Sequence, residues 1–223
     1  MKRSIVVTKD GSTSIRIDDW NENYHSSNGA IQEAKHVFIK NGLHEFLEFD
    51  FVSILEIGFG TGLNAFVTFL DKKEMQTIDY TGVEAYPISK DEFDSLNFVR
   101  ELNADSEKHI FEKMYTCEWN NRTELNPNFF ITKRNQFFQE ITDKNKFHLI
   151  YFDAFGYPVQ PELWSEAIFK KMYDALLPNG VLVTYACRTV IKKAMLNAGF
   201  SIEKLEGAPG KREMLRARKY VPN

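Results

Sequence analysis

Leu55-Glu56-Ile57-Gly58-Phe59-Gly60-Thr61-Gly62 decides how this chain is read, because it closes the apolar, β-prone run Phe51–Ile57 and opens into the helical stretch Leu63–Leu70. Glycines at such a junction let the backbone turn sharply and bring a ligand against main-chain N–H groups with no Cβ in the way. A lone G-x-G is weak evidence; a strand before it and a helix after it are the context that the motif requires. Dinucleotide sites seat a pyrophosphate on G-x-G-x-x-G. Here the pattern is G-x-G-x-G, with Glu56 two residues ahead and Leu at 63.

On the C-terminal side the strand–helix alternation continues. Tyr80–Ala85 reads as a second strand, with Pro87 expected in the first turn of the next helix. Phe129–Thr132, Phe147–Phe152 and Gly180–Ala186 read as the third, fourth and fifth. Such alternation means parallel strands joined by helical crossovers, with both sheet faces covered. At the end, Phe200–Leu205 and Arg212–Arg218 are separated by too few residues for a crossover helix, so they are expected to be antiparallel. Asn103–Asn128 is the least legible segment, read as a helix and an excursion. On the N-terminal side, Ile5–Val7 and Ser14–Ile17 flank the turn dipeptide Asp10-Gly11 and predict a hairpin. Ala30, Ile31, Ala34, Val37 and Phe38 then recur at helical spacing between Asn28-Gly29 and Asn41-Gly42. Residues 1–50 are thus expected to form an extension packed on the same domain as residues 51–223.

The length of 223 residues suits one domain, on a prior of about 100–200 residues per domain. Apolar residues at 43% and charged residues at 26% exclude collagen-like and wholly disordered classes. No apolar run approaches the ~18 residues of a membrane span, and the three-residue apolar stretch after Arg3-Ser4 is too short for a secretory leader, so a cytoplasmic protein is expected. With 28 basic and 31 acidic residues the net charge is −3, so any nucleic-acid binding must come from a local patch. Cys117 and Cys187, far apart and without a Cys or His at ligand spacing, predict two reduced, part-buried thiols rather than a disulfide or zinc site.

Two acids at strand ends extend the site. Glu84 closes the second strand, where a carboxylate can accept both hydroxyls of a ribose. Asp153 closes the fourth, and ligands of open α/β sheets sit beyond the carboxyl ends of the strands, so Asp153 is expected to face the reacting group. The loop after it, with Phe155, Pro158, Pro161 and Trp164, is stiff and aromatic, suited to walling a planar base.

The E-x-G-x-G-x-G loop resembles the signature loop of class I S-adenosylmethionine-dependent methyltransferases. With Asp153-Ala-Phe, Pro161-Glu-Leu-Trp164, Asn28-Gly29 with Glu33, Ala198-Gly199-Phe200 and the ending Gly210-Lys-Arg-Glu-Met-Leu215, nearly the whole chain resembles the methyltransferase domain of the MnmC family of bacterial tRNA-modification enzymes. The resemblance implies a Rossmann-like α/β fold with a seven-stranded, mostly parallel sheet and one antiparallel strand. It implies S-adenosyl-L-methionine as cofactor, held by Glu56, Gly58, Gly60, Gly62, Asn64, Glu84 and Asn135, the last standing where the family usually has an acid that contacts the adenine amine. The reaction implied is methylation of 5-aminomethyluridine, often 2-thiolated, at the tRNA wobble position. The family's enzyme also carries a flavin-dependent domain, for which this chain has no room. A stand-alone version is therefore expected, with no FAD and no metal, receiving the aminomethyl form from other enzymes.

The chemistry is in-line attack of a neutral amine on a sulfonium methyl, accelerated mainly by positioning. Asp153 fits as acceptor of an amine N–H; an unshifted Asp, pKa ~3.9, is a poor base, which favours an orienting role. Arg188, Lys192 and Lys193 follow the fifth strand, and Lys211, Arg212, Arg216, Arg218 and Lys219 crowd the C-terminus. Several are expected to rim the site and contact tRNA phosphates, Lys211 and Arg212 foremost. DNA and membranes are not expected partners, and nothing in the sequence specifies an oligomer. Two other readings remain open. An aminopropyltransferase of the spermidine-synthase type would need an acid two or three residues after Asp153; a non-catalytic RNA- or partner-binding protein would have no use for an intact loop, Glu84 and Asp153 together.

Overall fold

The computed structural model describes residues 2–220; Met1 and residues 221–223, the outer ends of the two segments delimited above, lie outside the described residues. The chain opens with β1 (Arg3–Val7), β2 (Thr13–Ile17) and the short β3 (Glu22–Asn23), then α1 (Ala30–Ala34), which runs on as a π-helical turn through Lys40. Next come β4 (Phe51–Ile57), α2 (Leu63–Asp71), β5 (Thr77–Glu84), α3 (Lys90–Asp94), α4 (Phe98–Glu101) and α5 (Lys108–Thr116). β6 (Arg122–Asn126), β7 (Phe129–Asn135), β8 (Phe147–Phe152), α6 (Glu166–Ala175), β9 (Leu176–Thr184), α7 (Thr189–Asn197), β10 (Ser201–Glu206) and β11 (Glu213–Arg218) complete the order.

The main sheet has the order β10-β11-β9-β8-β4-β5-β7-β6. Its five central strands are parallel. β11 runs antiparallel to β9 and pairs antiparallel with β10, as the short connection predicts. The α/β methyltransferase-like class is the one expected, with one strand more than seven and a second reversed strand: β6, antiparallel to β7, comes from the illegible segment. Its sequence Arg-Thr-Glu-Leu-Asn buries only Leu125, the polar composition of an edge strand that discourages further pairing, and so shows no apolar periodicity. Pro87 lies ahead of the next helix, not in its first turn: Ser89 caps α3 in a reciprocal box with Glu92. β9 begins earlier than expected, absorbing Pro178 and Asn179 where its register with β8 shifts.

Alternation along the central strands splits the core into two layers. Val52 and Ile54 of β4, with Tyr80 and Tyr151, pack under α1, α2 and α5 through Phe38, Phe66 and Phe111. Leu55 and Ile57 face the other way, onto Phe169, Met172, Ile191 and Met195 of α6 and α7. The predicted hairpin is present, joined by β3 into a three-stranded sheet. The segment after it packs into the first layer through Ala30, Ile31, Val37 and Phe38.

These connections place the functional end. The chain leaves β4 through α2 to β5 on one side, while β8 pairs with β4 on the other. The carboxyl ends of β4 and β8 therefore flank the point where the winding reverses, the place where open α/β sheets bind ligands. Gly58 sits there with φ +89°, and a Cβ on it would stand 2.5 Å from the Asp153 carbonyl oxygen. Gly58→Ala is expected to cost about 1–3 kcal/mol of unfolding free energy through strain at this position. The urea midpoint reads it; a wild-type midpoint contradicts this account of the turn.

Candidate active site

The glycine loop is pinned before any side chain acts. Gly58 and Phe59 both donate their N–H to the Val83 carbonyl of β5, at 3.1 and 3.0 Å. The next turn delivers the Gly60 N–H to Glu84 Oε2 at 3.0 Å, while Tyr86 N–H reaches Oε1 at 2.9 Å. The Glu84 carboxylate is thus fixed at the tip of β5, facing the cavity beyond the sheet. Gly62, with φ +78°, starts α2.

Asn64, in the first turn of α2, donates from Nδ2 to Glu56 Oε1 at 2.8 Å and to Asp153 Oδ2 at 2.9 Å. Both hydrogens of one amide are used, and two carboxyl groups on neighbouring strands are tied together. Tyr80 donates its hydroxyl to the other Glu56 oxygen at 2.8 Å. Glu56 is completely buried, and burial outweighs both donors, so its carboxyl lies well above the ordinary range. For Asp153, burial comes first and the Glu33 charge adds to it, against the Asn64 bond and Lys211; the result is a carboxyl raised to about 7.

The three-stranded sheet and the segment after it roof this end. Phe155 lies edge-on to Trp20 and Tyr24, with ring centroids 5.7 and 5.1 Å away. His25 links the roof to the loop, Nδ1 on the Ser14 hydroxyl and Nε2 on that of Thr61; burial lowers it to about 4, so the imidazole is neutral at pH 7. Glu33 of α1 pairs with Lys211, whose ammonium lies 3.8 Å over the Tyr185 ring. The Tyr185 hydroxyl donates to the Ala154 carbonyl at 2.9 Å. The cavity beneath, open to solvent on one side, measures about 950 Å³, at the upper end of small-molecule sites.

Gly58, Gly60, Asn64, Glu84, Asp153, Phe155, Pro158, Arg188, Lys211 and Arg212 line this one cavity. Four predicted residues do not. Glu56 stands behind the cavity wall, where its oxygens are spent on Asn64 and Tyr80. Gly62 borders a smaller cavity on the far side of the loop. Asn135 is exposed and uses Nδ2 on the Glu84 and Ala85 carbonyls, at 3.0 and 3.3 Å, clamping β7 to the end of β5. Trp164 is 1% exposed and packs on Phe152, while its Nε1–H holds the Phe155 carbonyl at 2.8 Å; it braces the loop rather than walling a base.

The basic residues divide too. Lys211 turns inward to Glu33, whereas Arg188 and Arg212 stand exposed at the rim with no ion pair among the described residues. Arg216 and Arg218 are held by Glu45, and Lys219 is buried on the Leu176 carbonyl. None of these three, nor Lys192 or Lys193, lines the cavity. Residues that the site adds are Tyr24, His25, Phe137, Phe138 and Tyr185, together with Glu33 in a role beyond motif matching. Glu33 carried a signal: an acid on the buried side of a helix whose other inward positions are Ala30, Ile31, Ala34 and Val37.

The residues fit an S-adenosyl sulfonium ligand. Gly60 leaves space a Cβ would fill against the Tyr24 ring; Glu84 presents carboxylate oxygens suited to paired hydroxyls; Phe137 and Phe138 offer aromatic faces; and Glu22, Glu33 and Asp153 complement positive charge. No group of three or more metal-ligating side chains occurs among the described residues, and no helix there is long and apolar enough to cross a membrane. Cys117 and Cys187 are free and half-buried, as expected.

Residues 97–220, more than half of the chain, match the family described as S-adenosyl-L-methionine-dependent methyltransferase. Curated relatives include the tRNA 5-methylaminomethyl-2-thiouridine biosynthesis bifunctional protein MnmC of Burkholderia mallei (strain SAVP1) and of Burkholderia pseudomallei (strain 668). Each is 26% identical over 242 residues, covering 95% of this chain and 34% of the relative. The chain therefore spans about a third of the length of these relatives. Among solved structures, MNMC2 from Aquifex aeolicus superposes with a TM-score of 0.78 at 22% identity, covering 99% of this chain and 72% of that one. Spermidine synthase from Thermotoga maritima gives 0.53 at 12% identity, covering 98% and 73%, a likeness of fold.

Glu56 has a consequence for stability. A carboxyl raised by folding keeps its proton to a higher pH than in the unfolded chain, so its contribution is fully present below the unfolded value of about 4.3 and declines as pH rises toward the folded value. Glu56→Gln removes this decline while keeping an acceptor for Asn64. Its urea midpoint is expected to fall less than that of the wild type between about pH 5 and pH 8. Identical pH slopes contradict the assignment.

Proposed function

Because the chain belongs to the S-adenosyl-L-methionine-dependent methyltransferase family, we propose that it methylates the primary amine of 5-aminomethyluridine, 2-thiolated or not, at the wobble position of tRNA. The product is the 5-methylaminomethyl nucleoside that appears in the relatives' name. The bound cofactor supplies an electrophilic methyl on a sulfonium. Gly58 and Gly60 would let it approach the backbone, Glu84 would hold its ribose, and Phe137 and Phe138 would offer aromatic faces to its base.

The observation that carries this reading is the Asp153 carboxyl, set at about 7 and aimed through Asn64 at the cavity. A simple alkyl amine, like Lys at ~10.4, arrives protonated, and only its neutral form attacks. An ordinary aspartate stabilises that ammonium without accepting its proton. Asp153 is a far better acceptor, and its role extends from orientation to taking a proton. Asp153 takes one proton from the arriving ammonium; the amine lone pair then forms the N–C bond as the C–S bond breaks, and the positive charge passes from sulfur to the product nitrogen, whose surplus proton goes to water.

Arg188 and Arg212 at the rim suit phosphates flanking an extruded nucleoside. An aminopropyl transfer is less well supported, since Phe155 and Gly156 stand where the second acid would be needed. A non-catalytic binding role has no use for an intact glycine loop, Glu84 and Asp153 around one cavity. The proposed reaction needs neither FAD nor a metal, places the protein with cytoplasmic tRNA, and uses residues 1–50 as the roof of the domain formed by 51–223.

Labelled S-adenosylmethionine and tRNA carrying 5-aminomethyluridine are expected to yield labelled 5-methylaminomethyl nucleoside on digestion. Equal label in tRNA bearing plain uridine, or none in either, contradicts the proposal. kcat/KM of the wild type is expected to rise with pH through about 7 as Asp153 ionises. Asp153→Asn is expected to lose about 10²–10⁴-fold in rate and that inflection, with affinity for the uncharged S-adenosylhomocysteine near wild type. Full activity in Asp153→Asn removes the carboxylate from the mechanism.

A further inference from the structure

Glu33 is 9% exposed, the one acid on the buried side of α1, and its carboxyl faces the cavity. Its Oε2 accepts the Ser26 N–H at 3.2 Å, which fixes the plane of the carboxylate. Its other oxygen holds the Lys211 ammonium, which lies 3.8 Å over the face of Tyr185. Tyr185 is held in turn by its hydroxyl bond to the Ala154 carbonyl, one residue past Asp153. A carboxylate, an aromatic face and a primary alkylammonium meet here, in the same cavity as the proton acceptor.

That combination recognises a CH2–NH3⁺ group: a charge-assisted hydrogen bond to the carboxylate and a cation–π contact with the ring. Lys211 brings this group on a flexible stem from the turn between β10 and β11, and its side chain is 29% exposed. Lysine heads on such stems move readily between partners. An aminomethyl substituent on a base is the same chemical group on a shorter arm.

We propose that Glu33 and the Tyr185 ring are the receptor for the substrate's primary amine, and that Lys211 occupies this receptor until the nucleoside displaces it. This rests on the methyl-transfer reading and deepens it. Glu33 takes the cationic arm as it exists in water and holds it beside Asp153, to which the amine then yields its proton. A uridine without the arm gains nothing from Glu33 and leaves Lys211 in place, so Glu33 sets specificity for the modified base. Lys211 thereby acts inside the cavity, and the rim positions Arg188 and Arg212 are left to meet phosphate.

The test measures Kd for two tRNAs of one sequence, carrying 5-aminomethyluridine or uridine, with S-adenosylhomocysteine present so that no turnover occurs. Wild type is expected to prefer the aminomethyl form about tenfold or more, the scale of a charge-assisted bond. In Glu33→Gln the ratio is expected to fall to about one with the affinity for uridine tRNA unchanged, which also reports a folded protein. Glu33→Asp is expected to restore part of the preference. Lys211→Met is expected to keep or widen it, because a competing occupant has gone. A wild type that methylates while Glu33→Gln keeps the wild-type ratio overturns the receptor alone, as does a Lys211→Met variant that loses the preference. A wild type that methylates yet binds both tRNAs equally also overturns it. A wild type that does not methylate the aminomethyl tRNA overturns the reading beneath it, and the receptor falls with it.

Discussion

One side-chain amide joins the two halves of the active end. Asn64 gives one hydrogen to Glu56 on β4 and the other to Asp153 at the tip of β8, and these strands flank the reversal in winding of the sheet. Burying two carboxyl groups so close together is unfavourable unless one or both stay neutral. Burial raises both: Glu56 lies deep in the core with its carboxyl well above the ordinary range, and Asp153, at the cavity edge, is raised to about 7.

The rest of the site is arranged around that carboxyl by segments distant in sequence. The glycine loop comes from the middle of the chain, Glu33 and the aromatic roof from its start, and Lys211 and Arg212 from the turn between its last two strands. Burial on both sheet faces holds the strand tips rigid. The roof is anchored by core packing of Ala30, Ile31, Val37 and Phe38 and by polar contacts such as His25 to Thr61 and Arg3 to the Tyr86 carbonyl at 3.0 Å.

Much of this was legible in the residues. The parallel strands announce themselves because both faces are buried and their sequences are apolar throughout; Phe147–Phe152 matches its predicted span. β6 escaped because an edge strand that buries only Leu125 has no pattern to read. Within the site, Gly58, Gly60, Glu84 and Asp153 meet at one cavity because strand ends place them there. Less legible are residues whose surroundings lie opposite in space: Trp164 looks like a wall for a base in one dimension, yet it is buried with its Nε1–H on the Phe155 carbonyl, and Asn135 spends its amide nitrogen on the Glu84 and Ala85 carbonyls. Lys211 looked like a phosphate contact because its partner, Glu33, lies far away along the chain. The elevation of Asp153, on which its proposed role as proton acceptor rests, comes from burial and cannot be read from spacing.

The account therefore turns on the protonation state of one carboxyl group. A carbon-13 NMR titration of the Asp153 side chain in the free protein measures it directly. The expected midpoint is about 7; a midpoint in the ordinary aspartate range, near ~3.9, contradicts the claim that this site is built around a proton acceptor.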